Sequence, residues 1–195
     1  MNTQTKIKTM TIAALLCAIG IIIPMVMPRI SMEPASFTLA SHVPVFIAMF
    51  ISPLVSIFVA LLTTFGFLIS GTPIVIVLRA LTHFIFALTG ALILKRNNDI
   101  LLSFKSSLLF SVVVSLIHAV AEVVVVTIFY WGGTLANYEE KGYLISVIGL
   151  VGIGTFIHSM VDFSIAVYVW KPLQYIITIP ANAKVRTKHV KHVSS

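Results

Sequence analysis

Apolar residues run through this chain in long blocks separated by short polar punctuation. Six blocks can be drawn. The first extends from about Thr9 to Met27 and is interrupted by Pro24 and Pro28. The stretch "RISMEPASF" reads as a loop, and a short second block follows from about Thr38 to Ile51. "SPL" turns the chain into a third block, about Val55 to Ser70, and "GTP" turns it into a fourth, about Ile74 to Leu94. "KRNNDILLSFK" is the most polar interior loop. The fifth block spans about Leu108 to Trp131, and a Gly-rich loop, "GGTLANYEEKG", leads to a sixth, about Tyr143 to Trp170. Repeated apolar runs approaching or exceeding about eighteen residues mark transmembrane helices. The sixth is longer than a bilayer requires, so it is expected to tilt, bend or begin inside the loop. The pattern predicts an all-α membrane protein, a bundle of six transmembrane helices. Residues 1–180 form a single domain, followed by a basic cytoplasmic tail, 181–195, expected to be disordered. No internal repeat is visible.

Composition agrees. Of 195 residues, 58% are hydrophobic and 10% charged, whereas soluble domains average about a quarter charged. The chain suits one helical bundle and is too small for a bundle plus a soluble catalytic domain. Its net charge of +7 suggests nucleic acid only until positions are read. Lys6, Lys8, Lys95, Arg96, Lys105, Lys171, Lys184, Arg186, Lys188 and Lys191 fall on one side of a six-span topology, and only Arg29 and Lys141 on the other. This ten-to-two bias places both termini and the central loop in the cytoplasm, against anionic lipid headgroups. No basic face for nucleic acid emerges. The single cysteine, Cys17, lies within an apolar run and leaves no disulfide framework or zinc-type cluster. The basic head and apolar run of the N-terminus resemble a signal peptide, but no small-residue cleavage site precedes Pro28, which predicts a retained first helix.

Four blocks carry ionisable side chains. His42 lies in the second, Arg79 and His83 in the fourth, His118 and Glu122 in the fifth, His158 and Asp162 in the sixth. Three of these are i, i+4 pairs, each on one helix face, and all are expected to turn inward because lipid cannot solvate them. At 1.5 Å per residue, Arg79 lies roughly 10 Å and Glu122 roughly 13 Å below the outer helix ends. Arg79, His83 and Glu122 thus share one outer-half pocket, with His118 and His158 nearer the middle and Asp162 in the inner half. Two readings stand side by side. In one, Arg79 pairs bidentately with a ligand carboxylate, Glu122 balances charge, and Tyr130, Trp131, Tyr138 or Tyr143 stacks on a ring. In the other, Arg79 and Glu122 form an internal ion pair that fixes helix packing, the histidines satisfy neighbouring carbonyls, Asp162 orients His158, and the aromatics are interfacial anchors.

Small residues add a clue: Ala14 and Ala18 in "AALLCAIG" stand four apart, with Gly20 close behind. Such spacing lets membrane helices approach closely, either within this chain or against another subunit. Together the length, the six blocks, the basic termini and Ala14-Leu-Leu-Cys-Ala18 resemble the substrate-binding S components of energy-coupling factor (ECF) vitamin transporters. "EPASFTLASHVP" and "ALLTTFGFLISGTPIVIVLRALTH" are most similar to the niacin-specific branch.

The resemblance implies a multi-pass protein of the bacterial cytoplasmic membrane. Ala14 and Ala18 would dock to a transmembrane T component, which two ATPase subunits energise. The ligand would sit under the outer loops against the fourth to sixth helices, within reach of Arg79, His83, Glu122, His118, His158, His42, Trp131 and Tyr138. The S component would capture the vitamin outside, topple in the membrane and release it inside. A carboxylated pyridine, niacin, would match one buried arginine; pantothenate also carries a carboxylate. Metal-specific relatives place a histidine directly after the initiator methionine, where this chain has Asn2. The sequence has no GxxxxGK[ST], so ATP hydrolysis falls to partners, and neither enzymatic activity, cofactor nor bound metal is expected. Two rivals remain. "HAVAE" and "HSMVD" make an intramembrane metal-dependent enzyme conceivable, although HExxH is absent. A stand-alone carrier would use the same ionisable set, without the internal repeats such carriers commonly show.

Overall fold

The computed structural model describes residues 2–32, 35–133 and 141–186. Helix α1 (Thr3–Val26) begins at Asn2, whose side-chain oxygen accepts the Thr5 N–H at 2.8 Å, a capping bond that satisfies one of the open donors of the first turn. It therefore starts six residues before the apolar block does. It also passes through Pro24, which has no N–H to donate to the Gly20 carbonyl one turn earlier, and the helix ends at Val26.

The segment read as a loop is a hairpin. Strand β1 (Arg29–Met32) pairs antiparallel with β2 (Ala35–Thr38), placing Arg29 opposite Thr38 and Ile30 opposite Phe37. Helix α2 (Val43–Ile51) follows, then α3 (Pro53–Ile69), α4 (Ile74–Arg96) and α5 (Phe104–Trp131), with one 3-10 turn at Ile100–Leu102. The final membrane segment starts as a π-helix, Leu144–Ile153, and continues as α6 (Gly154–Ile176). Among the described residues there are six α-helices. α1, α4, α5 and the continuous Leu144–Ile176 segment are long and apolar enough to cross a membrane. α2 has nine residues, about 14 Å, less than half a bilayer core of about 30 Å.

α2 is the centre of the fold. All nine of its residues are buried, as expected of a helix apolar on every side. α1, α3, α4 and α6 pack around it. Lipid tails are as apolar as these side chains, so the gain comes from close packing rather than from leaving water. Gly66 lets α3 approach Ile21 of α1, and Gly90 lets α4 approach Met49 of α2. Phe46, Phe50 and Phe163 meet edge to face at 5.4 and 5.8 Å, arrangements worth about 0.5–1.5 kcal/mol beyond area burial. The outer surface carries exposed apolar side chains such as Met10, Phe65, Leu109, Ile128 and Ile157, suited to lipid.

The chain after α6 belongs to the packed fold. Ile179, Ala183 and Val185 are buried, the Trp170 indole N–H donates to the Ala183 carbonyl at 3.1 Å, and the Asn182 and Ala183 N–H groups donate to the Phe50 carbonyl. Residues 181–186 of the segment expected as a free tail are thus anchored, because they satisfy the open carbonyls at the end of α2; residues 187–195 lie outside the described residues. Lys8 Nζ donates to Thr178 at 3.1 Å, and the Lys184 N–H donates to the Asn98 carbonyl. The start of α1, the chain after α6 and the 97–103 loop therefore share one end of the molecule.

Candidate functional site

A cavity of about 340 Å³ opens between the hairpin and helices α1, α3, α4, α5 and α6. Its wall is apolar toward α1, with Ile21, Pro24 and Met25, and polar below, with Ser41, His42, Arg79, His83, Glu122, Thr155 and His158. Phe37 of the hairpin tilts over His158, ring centroids 5.4 Å apart. Gly154 makes this possible: a Cβ there would stand 2.5 Å from the Phe37 ring.

Glu122 is the hub. Its Oε2 accepts from Arg79 Nη2 at 2.8 Å and from the Thr155 hydroxyl at 2.7 Å. Its Oε1 lies 3.4 Å from His118 Nε2 and 3.7 Å from His83 Nε2. A second carboxylate organises the lower storey. Asp162 accepts the backbone N–H of Ala40 at 2.8 Å and of His42 at 2.9 Å, and the His42 Nδ1–H at 3.0 Å. It thereby satisfies donors at the start of α2, where Ala40 holds a φ of 65°; left-handed backbone at a residue with a Cβ persists only when its surroundings fix it. Four imidazoles fill the space between the carboxylates, His42 lying 4.7–5.0 Å from the rings of His83, His118 and His158.

The ion-pair reading of Arg79 is realised, and the residue also lines the cavity, its side chain 14% exposed against 4% for Glu122. Arg79, His83, Glu122, His42 and His158 come together as anticipated. His118 lies one layer behind the wall, completely buried against Phe86. Asp162, expected to orient His158 from the inner half, chiefly holds His42 and the entry to α2; His158 Nε2 is 3.3 Å away. Trp131 does not reach the cavity: it is 74% exposed and stacks on Tyr143, 5.7 Å away, in a cluster with Tyr130. The end of α5 carries that cluster outward, and Tyr143 is tied to Thr127 at 2.9 Å. Tyr138 lies outside the described residues. Ala14 and Ala18 are exposed on the outer face of α1, while Leu16, Cys17 and Gly20 turn inward. Sequence reasoning missed Thr63 and Thr155. Thr63 Oγ1 is buried in the cavity wall without a hydrogen-bond partner among the described residues, and no local pattern distinguishes it from Thr64, which donates to the Ala60 carbonyl.

Fold and site define a multi-pass helical protein of the cell membrane that encloses a small cavity with an arginine in its wall. Over 164 residues the chain is 44% identical to the niacin transporter NiaX of Lactococcus lactis subsp. cremoris (strain MG1363), covering 84% of this chain and 73% of that protein. The chain belongs to that transporter's family, the S-component family its sequence resembles. No protein-family model matches it, and no solved structure does.

Proposed function

We propose that this chain is the niacin-binding S component of an ATP-driven ECF importer, and that the cavity beside Arg79 receives the vitamin. The observation that carries the reading is a part-buried guanidinium in the wall of a cavity of about 340 Å³, near the lower limit of small-molecule pockets, about 300 Å³. A planar guanidinium matches a carboxylate bidentately, and the relative's name supplies the compound. Arg79 binds the carboxylate, Thr63 offers its hydroxyl to the pyridine nitrogen, and Phe37 with His158 borders the ring. His83 and Glu122 set the charge beneath, with His42 and His118 as their support. The ten-to-two basic bias and the shared end of the two terminal segments support a six-segment bundle with both termini cytoplasmic. Ala14 and Ala18 form the face for a transmembrane T component, which two ATPases drive.

Calorimetric titration of the purified protein with niacin, nicotinamide and pantothenate tests this. Niacin is expected to bind tightly, and nicotinamide, which lacks the anionic carboxylate, far more weakly. Equal affinity for niacin and nicotinamide, or preference for pantothenate, refutes the assignment.

A further inference from the structure

The lower storey of the site holds more metal-ligating chemistry than a carboxylated pyridine needs. His42, His83, His118 and Glu122, all buried, each place a ligand atom within 4.8 Å of the others. Three features make this more than a polar cluster.

First, the supporting bonds are those of a metal centre. His42 is held at Nδ1 by Asp162 at 3.0 Å, which leaves Nε2 as its lone-pair nitrogen. His118 is held at Nδ1 by the Ser159 hydroxyl at 3.2 Å, which turns Nε2 toward Glu122. Metal-bound histidines almost always donate the other ring N–H to a carboxylate, backbone carbonyl or water, fixing tautomer and orientation, and a serine hydroxyl oxygen can accept in the same way. Second, His118 Nε2 is fully buried, faces Glu122 Oε1 at 3.4 Å, and makes no hydrogen bond among the described residues. An unpartnered buried polar atom is costly, and a cation between it and the carboxylate removes the cost. Third, the spacing suits a tetrahedral ion. Ligand bonds of about 2.0–2.2 Å put neighbouring ligand atoms of a tetrahedron roughly 3.3–3.6 Å apart. The contacts at Glu122 Oε1, 3.4 and 3.7 Å, already approach that, and no two ligand atoms of the set are more than 4.8 Å apart. Phe86, 4.5 Å from His118 and 5.7 Å from His83, walls the group off on its apolar side.

We propose that His42, His83, His118 and Glu122 form a binding site for a divalent first-row transition metal of zinc-like preference, beneath the ligand cavity. Imidazole and carboxylate donors in a compact tetrahedral set select such ions over magnesium or calcium. The site does not depend on niacin being the cavity's ligand.

The full chain, purified in detergent, stripped with a chelator and dialysed, is titrated with Zn²⁺ by calorimetry without niacin, and separately with Co²⁺ read by visible absorption. Saturable binding of one Zn²⁺ per chain and an intense tetrahedral Co²⁺ band are expected. His118→Ala should weaken Zn²⁺ at least tenfold and abolish the band, and Ser159→Ala should weaken it about 10- to 100-fold, the range for outer-shell partners. The double variant His189→Ala/His192→Ala, which removes the tail histidines, should bind as the parent does. Absent saturation, a weak octahedral Co²⁺ spectrum, or binding lost in the tail variant but kept in His118→Ala overturns the site. The Co²⁺ spectrum of the parent decides the matter even where His118→Ala fails to fold. Niacin titrated into the stripped protein reports on the transport reading alone, so either proposal can fail without the other.

Discussion

The double role of Arg79, in an ion pair and in a cavity wall, can be separated by pairing two substitutions. Arg79→Met keeps the length and apolar stem of the side chain and removes the charge. It leaves Glu122, whose side chain is 4% exposed, as a buried carboxylate facing no cation. Removing one partner of a buried pair costs about 3–5 kcal/mol. Thr155 still donates to Glu122 at 2.7 Å, so the lower end of that range is expected. Arg79→Met/Glu122→Gln removes both charges, and replacing a buried pair outright is often close to neutral; thermal unfolding should recover most of the loss. Niacin binding should not recover. One charge-assisted hydrogen bond to a carboxylate contributes about 1.5–3 kcal/mol, so both variants should bind niacin about 10- to 150-fold more weakly at 1.4 kcal/mol per decade. Preference for niacin over nicotinamide should vanish with it. Glu122→Gln alone should keep niacin binding, because it frees the guanidinium proposed to meet the carboxylate. Calorimetry with both compounds, alongside unfolding curves, reads all four proteins. If the double variant regains niacin affinity, or Arg79→Met binds within about threefold of the parent, the arginine serves packing only and the ligand lies elsewhere.

The remaining predictions address other parts of the same geometry. Gly154→Ala puts a methyl 2.5 Å from the Phe37 ring; overpacking of this kind costs about 1–3 kcal/mol, and displacement of the hairpin should weaken niacin binding along with the melting temperature. An unchanged melting temperature would show that Phe37 is not held there. Thr63→Val preserves shape and removes the hydroxyl, so niacin affinity should fall about 2- to 12-fold, the worth of a net hydrogen bond of about 0.5–1.5 kcal/mol, with little change in unfolding; unaltered affinity removes Thr63 from the site. Ala14→Trp or Ala18→Trp, on the exposed face of α1, should leave binding by the purified protein intact and abolish uptake in cells, and normal uptake would place the partner surface elsewhere.

The four long spans were readable because each is a continuous apolar run whose ends carry their own signals, such as Lys95 and Arg96 in the last turn of α4. The hairpin was not readable. Its strands have four residues each, too few for alternation to stand above chance, and the pairing of Ile30 with Phe37 acts only once Phe37 has Gly154 to lie against. The start of α2 was hidden for a related reason. Its donors are satisfied by Asp162, 120 residues from His42, so no capping residue announces it locally, and the apolar run alone blurs the boundary between the hairpin and the helix.

The ionisable pairs were legible for the opposite reason. A bilayer cannot solvate them, so each helix face carrying one had to meet another, and convergence followed from the sequence before any contact was known. Which pairs meet depends on relative height, and there a one-dimensional reading is blind. α5 carries Glu122 level with Arg79 of α4 and with Thr155 at the start of α6, while His118, a turn lower, comes level with Ser159. Asp162, a turn lower again, is claimed by the entry to α2. α2 is too short to span, and its buried beginning therefore stands deep in the protein at the level of Asp162. The short helix in this way converts a carboxylate that local spacing assigns to His158 into the support of His42. It also stacks a storey led by Arg79 on a histidine-rich one, led by His118. A cavity with a guanidinium in its wall and imidazoles at its floor is the arrangement produced by placing a nine-residue helix at the core of longer ones.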